Sequence, residues 1–365
     1  MTQPTLYING RFLTQRLTGT QRFARELVDA IDQRLALCER PPRCVIVLPA
    51  SADPPAAWRH ITVIRAGRLT GHRWEQLELP RLTRDGVLLS LGNVGPLLHA
   101  RQAIVMHDAA VYALPEAFTW QFRTAYRVLL PLLARRAARL ITISQFSRRE
   151  LSRHLKIAAD RFTVIVEGAD HILRADADAA ILATHRLQPR RYVLCVGSAT
   201  PNKNFAAVAG AFSLLDRDDL TLAIAGGGDS RIFADGTLRT SARSVRLGYV
   251  SDAALRALYE NALCFVFPSR YEGFGLPPLE AMICGCPVVA STTDAVREVC
   301  GDAALFADPD DHATLAAHIG RLADDVELWS GMQQRGRQQV EPYTWSRSAE
   351  SVLAALEPLL TPANG

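Results

Sequence analysis

Short apolar runs rich in valine and isoleucine alternate along this chain with longer stretches whose apolar positions recur every three or four residues. The runs fall at 6–8, 44–48, 61–64, 87–91, 103–106, 140–143 and 162–166. Runs of this kind predict strands buried on both faces of a parallel sheet. Between the first two, Phe23, Leu27, Ile31 and Leu35 draw one apolar stripe along a helix predicted over 19–37. The alternation predicts a doubly wound α/β domain over 1–170. A polar, loosely patterned stretch over 171–190 reads as a linker with one short helix. Apolar runs resume at 192–196, 220–225, 245–250, 264–267 and 287–290, with helical patterns at 205–215 and 252–261, so a second α/β domain is expected over 191–342. Residues 343–365 hold Tyr343, Trp345 and a last helical pattern, expected to pack back on the N-terminal domain. Two such sheets facing across a cleft bind ligands at the carboxyl ends of their strands, so functional residues are sought just after strands.

Composition removes several classes. At 365 residues the chain exceeds one ordinary core of roughly 150 residues. Apolar residues at 48% and charged ones at 21% exclude a wholly disordered chain. The 41 basic residues exceed the 37 acidic ones by four, too few to imply a nucleic-acid partner without a clustered basic face. Only Lys156 and Lys203 are lysines, which draws attention to each. The longest apolar stretches, such as 128–134, fall short of the ~18 residues a membrane span needs, and the N-terminus shows no signal-peptide core. A cytoplasmic protein is expected. Seven cysteines, an odd count set mostly in apolar runs, fit buried thiols in a reducing compartment, and Cys284-x-Cys286 has no companion histidines for zinc.

The most informative segment runs Pro268-Ser269-Arg270-Tyr271-Glu272-Gly273-Phe274-Gly275-Leu276-Pro277-Pro278-Leu279-Glu280. A strand ends near Phe267, two glycines permit a tight turn, and the prolines suit the first turn of a helix, which would also hold Glu280. The free N–H groups and dipole at such a helix start suit a phosphate. Glu272 on the loop and Glu280 on the helix then flank the anion and accept hydrogen bonds from hydroxyls, the two sets a nucleotide sugar offers on its ribose and its hexose. The plainer alternative is a capped strand-to-helix turn, which accounts for the prolines but not for Glu272 with both glycines.

The same segment resembles the E-x7-E motif of retaining glycosyltransferases of the two-Rossmann-domain (GT-B) type, in the large family that includes bacterial polysaccharide mannosyltransferases and sucrose synthase. The continuation Ala281-Met282-Ile283-Cys284-Gly285-Cys286-Pro287 is similar as well, and the resemblance extends over nearly the whole chain. It implies that Glu280 holds the donor ribose and Glu272 the hydroxyls of the transferred sugar, with the backbone of Gly273, Phe274, Gly275 and Leu276 approaching sugar and diphosphate.

Residues 192–196 lead into Gly197-Ser198-Ala199-Thr200-Pro201-Asn202-Lys203. A lysine here can stabilise a departing diphosphate, whose charge grows in the transition state; a solvated helix-start lysine is the alternative. Lys203 resembles the family's phosphate-binding lysine, while Ser198 and Asn202 stand where many members carry arginine, which argues against a two-cation clamp. His107 follows the run at 103–106 and either donates to a sugar hydroxyl or caps buried backbone. With Asp108, Pro115 and Glu116 it resembles the family's donor-sugar histidine segment. Gly19 either gives a helix start its freedom or, by resemblance, lines the donor phosphate, where Arg22 adds charge. The Tyr249-Val250 backbone resembles the edge that reads the base. Trp74-Glu75-Gln76, Ile143 to Ser147, Val166 to Asp170 and Tyr343-Thr344-Trp345 are further similar pieces, expected mostly to shape the fold.

Other signals weigh less. Asp176-Ala177-Asp178 matches a metal-binding D-x-D but sits where aspartates cap a helix, so no metal or other cofactor is expected. Gly226-Gly227-Gly228-Asp229 has Arg231 where a dinucleotide motif needs its third glycine. A helix expected over 119–138 pairs an apolar face with five arginines and suits either an anionic membrane surface or a core with snorkelling arginines. The resemblance thus implies a retaining hexosyltransferase in bacterial surface-polysaccharide synthesis. Its donor would be a nucleotide sugar, GDP-mannose first, and its acceptor a saccharide or lipid-linked oligosaccharide. Rhamnosyl or glucosyl transfer from GDP-, dTDP- or UDP-sugars, an epimerase or hydrolase on the same scaffold, and a non-catalytic sensor remain alternatives.

Overall fold

The structure is a computed structural model that describes residues 4–53, 58–198, 200–226 and 244–361. Gly227, Gly228, Asp229, Arg231 and Ala199 lie outside the described residues. The chain forms two compact units, one of Met1–Gly168 with Trp345–Gly365, the other of Ala169–Thr344.

The first unit carries a seven-stranded parallel sheet built from β1 (Leu6–Asn9), β2 (Cys44–Leu48), β3 (Ile61–Arg65), β4 (Val87–Ser90), β5 (Gln102–Val105), β6 (Arg139–Thr142) and β7 (Phe162–Val164), in the order β3-β2-β1-β4-β5-β6-β7. Strands β1, β2, β4 and β5 are buried throughout, as their apolar runs predict. β3 departs from that expectation. It forms the sheet edge, so only Ile61 is buried while Val63 and Ile64 face solvent. Helix Gly19–Leu35 buries Phe23, Leu27, Ile31 and Leu35, the stripe read from the sequence, and ends two residues early. The C-terminal helix Trp345–Leu360 belongs to this unit and packs along it.

The second unit carries a six-stranded parallel sheet of β8 (Tyr192–Val196), β9 (Thr221–Ala225), β10 (Ser244–Gly248), β11 (Cys264–Phe267), β12 (Val288–Ser291) and β13 (Ala304–Ala307), in the order β10-β9-β8-β11-β12-β13. Residues 171–190 are part of this unit rather than a free linker. Arg256 Nη1 reaches the carbonyls of Leu173 at 3.1 Å and Ala175 at 2.9 Å, and the Asp178 amide donates to Ala253 O at 3.0 Å, so the stretch is pinned to helix Asp252–Asn261. Strand order reverses between β1 and β4 in one sheet and between β8 and β11 in the other. Loops leaving such neighbouring strands diverge to opposite faces and open the crevice where doubly wound sheets take ligands.

Candidate active site

The segments singled out in the sequence leave β8 and β11, the two strands at the reversal of the second sheet. The segments at Thr200–Asn204 and Pro268–Gly275 are stitched together by a backbone hydrogen bond and by the Asn204 side-chain amide. The Arg270 amide donates to Asn202 O at 2.8 Å, and Asn204 Nδ2 donates to Pro268 O at 3.3 Å and Pro309 O at 2.7 Å. Asn204 takes a left-handed backbone, φ +52°, which lets it start helix Phe205–Leu214 while its amide spans both loops. The close approach behind them needs Gly226, at φ +116°, because a Cβ there would stand 2.0 Å from Gly197 O.

This stitching sets Lys203 beside Glu272. The ammonium lies 2.7 Å from Glu272 Oε1, with the side chains 18% and 16% exposed, and 5.1 Å from the Phe267 ring centroid. A pair this sheltered keeps more of its Coulomb attraction than a surface pair does. The alternative of a solvated helix-start lysine is therefore set aside: Lys203 is held and aimed. Ser198 Oγ lies 3.2 Å from Thr200 Oγ1, and Asn202 Nδ2 faces Tyr271 O at 3.5 Å.

Helix Leu276–Ile283 starts after Gly275, whose φ of +148° excludes most side chains. The helix begins before its prolines, so Glu280 is its fifth residue and stands in the second turn, not the first. Its carboxylate is buried and held from two sides, by His171 Nε2 at 2.9 Å on Oε1 and by the Tyr259 hydroxyl at 3.3 Å on Oε2. Burial, then the Glu280 charge, push the Tyr259 phenol well above its ordinary range, so it stays a donor. Phe274 and Leu276 are buried, and the Phe274 ring meets Tyr343 edge-on at 6.0 Å. Tyr249 is 70% exposed just past β10.

In the first unit, His107 follows β5 and is only 4% exposed. Its amide donates to Asn93 Oδ1 at 2.6 Å, and its ring Nε2 lies 2.8 Å from Leu91 O. A carbonyl only accepts, so Nε2 carries the proton. Burial lowers the imidazole to about 4, which leaves the ring neutral at pH 7 and makes its 3.9 Å approach to Glu167 no ion pair there. Of the two readings of His107, donation to a sugar hydroxyl or capping of buried backbone, this geometry is that of the second. The neutral ring's one N–H is taken by backbone, and Nδ1 can only accept. Gly19 opens helix Gly19–Leu35 with no left-handed backbone and with open space where a Cβ would stand, so neither turn geometry nor crowding demands glycine there.

Residues 181–339 match the family of group 1 glycosyl transferases. Over 269 residues the chain is 34% identical to an O-antigen chain mannosyltransferase B of Escherichia coli, a match that covers 70% of each protein. The chain belongs to the group 1 glycosyltransferases. Two solved structures share its fold at 18% identity. Sucrose-phosphate synthase from Thermosynechococcus elongatus has a TM-score of 0.76, covering 98% of this chain and 99% of its own. HepE from Anabaena, in complex with UDP-glucose, has a TM-score of 0.73 over 98% and 100%. Both are GT-B architecture, the fold class read from the sequence.

For a glycosyltransferase, which moves a sugar from a nucleotide sugar to an acceptor, the second unit supplies one sheltered cation and two carboxylates at a strand-order reversal. Sequence reasoning missed His171 and Tyr259, the two groups that fix Glu280. His171 lies in the polar stretch read as a linker, adjacent to the Val166 to Asp170 piece, which was the one available signal. Among the described residues no cluster of three or more His, Cys, Asp or Glu is arranged to hold a metal, and the Asp178 carboxylate of the D-x-D caps the Ala180 amide at 3.1 Å. Cys284 and Cys286 are buried free thiols, and burial pushes the Cys284 thiol up to about 12.

Proposed function

We propose that this glycosyltransferase transfers mannose from GDP-mannose, with retention and without a metal, to a saccharide or lipid-linked oligosaccharide in bacterial surface-polysaccharide assembly on the cytoplasmic side of the membrane. The transfer chemistry rests on the Lys203–Glu272 pair at the β8/β11 reversal, with Glu280 on the helix that follows. The choice of mannose rests on the 34% identical O-antigen mannosyltransferase. Glu272 is engaged by Lys203 rather than poised as a nucleophile, which supports a front-face displacement. The anomeric C–O bond to the β-phosphate breaks, the acceptor oxygen bonds the same face, and the departing phosphate oxygen takes the acceptor's proton. Lys203 stabilises the charge left on that phosphate.

A thermal-shift series with GDP-, UDP-, dTDP- and ADP-sugars in EDTA tests the donor. GDP-mannose at a hundredfold excess over Kd is expected to add roughly 2.7 kcal/mol of stability, and the other bases far less. Selective stabilisation by another nucleotide would refute the guanine assignment, and a shift that needs added magnesium would refute metal-free binding.

Membrane contact is proposed through helix Trp120–Arg136. Trp120, Val128 and Leu132 are exposed on it, with Arg127, Arg135 and Arg136 exposed alongside. Among the described residues no helix is long and apolar enough to cross a membrane. Basic residues near an anionic surface contribute about 1 kcal/mol each, so the protein should co-sediment with phosphatidylglycerol vesicles but not with phosphatidylcholine alone. Raised salt and Trp120→Ser should each weaken the binding several-fold; equal binding to both lipids would sink the idea.

A further inference from the structure

The Trp74-Glu75-Gln76 piece brings a buried carboxylate under a half-exposed histidine. Glu75, on helix Gly71–Leu77, is 1% exposed. Its Oε1 accepts from Asn9 Nδ2 at 2.7 Å and lies 3.0 Å from Arg11 Nε, while Oε2 stands 3.1 Å from His72 Nδ1. Asn9 ends β1, and its Nδ2 also reaches, at 3.3 Å, the hydroxyl of Ser90, which ends β4. The cluster thus occupies the strand-order reversal of the seven-stranded sheet, the place where such sheets receive ligands. A carboxylate only accepts, so His72 Nδ1 donates to Glu75, which fixes the ring's orientation and leaves Nε2, on a side chain 50% exposed, as the ring's other polar atom.

Beside this histidine runs a row of aromatic rings. The His72 ring meets Tyr126 edge-on at 6.3 Å, Tyr126 stacks on Phe122 at 4.0 Å, and Phe122 stacks on Phe118 at 5.4 Å. Phe122 is exposed, Phe118 and Tyr126 partly so. A saccharide presents apolar C–H patches rimmed by hydroxyls, and an apolar aromatic row ending in one oriented polar group matches both. Tyr126 lies on a different flank of helix Trp120–Arg136 from Trp120, Val128 and Leu132, since at about 100° per residue it is turned by more than a quarter-turn from each, and Phe118 precedes the helix.

We infer that His72, oriented by Glu75, together with Phe118, Phe122 and Tyr126, binds the saccharide acceptor; this rests on the transferase reading above. Glu75 is a positioning residue and His72 contacts an acceptor hydroxyl. The test measures transfer from GDP-mannose to fluorophore-tagged mannobiose, with separate KM values for donor and acceptor. His72→Ala should raise the acceptor KM about tenfold, the loss of one hydrogen bond, and Phe122→Ala should raise it several-fold, with GDP-mannose binding and melting temperature unchanged. His72→Gln, which keeps a polar group near Nε2, should recover most of the affinity. An unchanged acceptor KM in both alanine variants, or a donor KM that rises equally, overturns the site. Wild-type protein that binds GDP-mannose yet transfers nothing to the mannoside overturns instead the mannoside acceptor on which the site's occupant rests.

Discussion

Lys203→Ala is expected to lower kcat by about 10²–10³-fold, the loss that follows removal of one preorganised group aimed at developing charge. The effect should fall on kcat more than on the donor KM. The diphosphate gains its extra negative charge only as the glycosidic bond breaks, so the ammonium is worth more in the transition state than in the bound donor. Initial rates at saturating donor separate the two cases. A raised KM with unchanged kcat would mean that Lys203 binds donor and transition state equally and does not serve the leaving group. Lys203→Arg keeps the charge but not the compact ammonium, so a partial recovery there would tie the loss to charge rather than to a disturbed loop. Because Glu272 lies 2.7 Å away and is only 16% exposed, the alanine variant also strands a partly sheltered carboxylate. Adding Glu272→Gln removes that second effect, and the double variant should be no less stable than Lys203→Ala alone.

How far the sequence anticipates this site depends on how local each cause is. Strands buried on both faces are mostly apolar, so β1, β2, β4, β8 and β11 announce themselves as short apolar runs. β13 does not, because Ala304 and Ala307 flank just two larger apolar residues and give no contrast with the helices around it. The Glu272 to Glu280 loop is legible for the same local reason: glycine and proline requirements are written into adjacent positions. What holds Glu280 is not. Its partner His171 lies 109 residues away, in a stretch whose polarity suggested a linker, and no periodicity connects them. For His107 the sequence likewise lacks the partner. Its place after a strand was clear, but the carbonyl that takes its N–H belongs to Leu91, on the segment leaving β4.

Trp345→Ala is expected to destabilise the first unit by about 3–5 kcal/mol, the range for deleting a large aromatic ring from a packed core. Trp345 is 1% exposed and meets Phe23 edge-on at 5.8 Å; Phe23 in turn meets the His107 ring at 4.7 Å. The same helix buries Val352, Leu356 and Leu360, donates from Ser348 Oγ to Val166 O at 2.7 Å, and pairs Glu350 with Arg34 at 2.7 Å on the neighbouring helix. That surface pair, with both side chains more than a third exposed, adds little, so the aromatic and aliphatic contacts carry the attachment. The ring's removal leaves a void that the helix Gly19–Leu35 cannot close without tilting its own buried stripe. Hydrogen exchange locates the loss: peptides from β1 and β4 should exchange far faster, while those from β8 and β11 keep their protection. Trp345→Phe, which keeps an aromatic ring against Phe23, should lose less than half as much. Equal acceleration in both sheets, or a change confined to β8 and β11, would show that the C-terminal helix serves a core other than the one that holds His107.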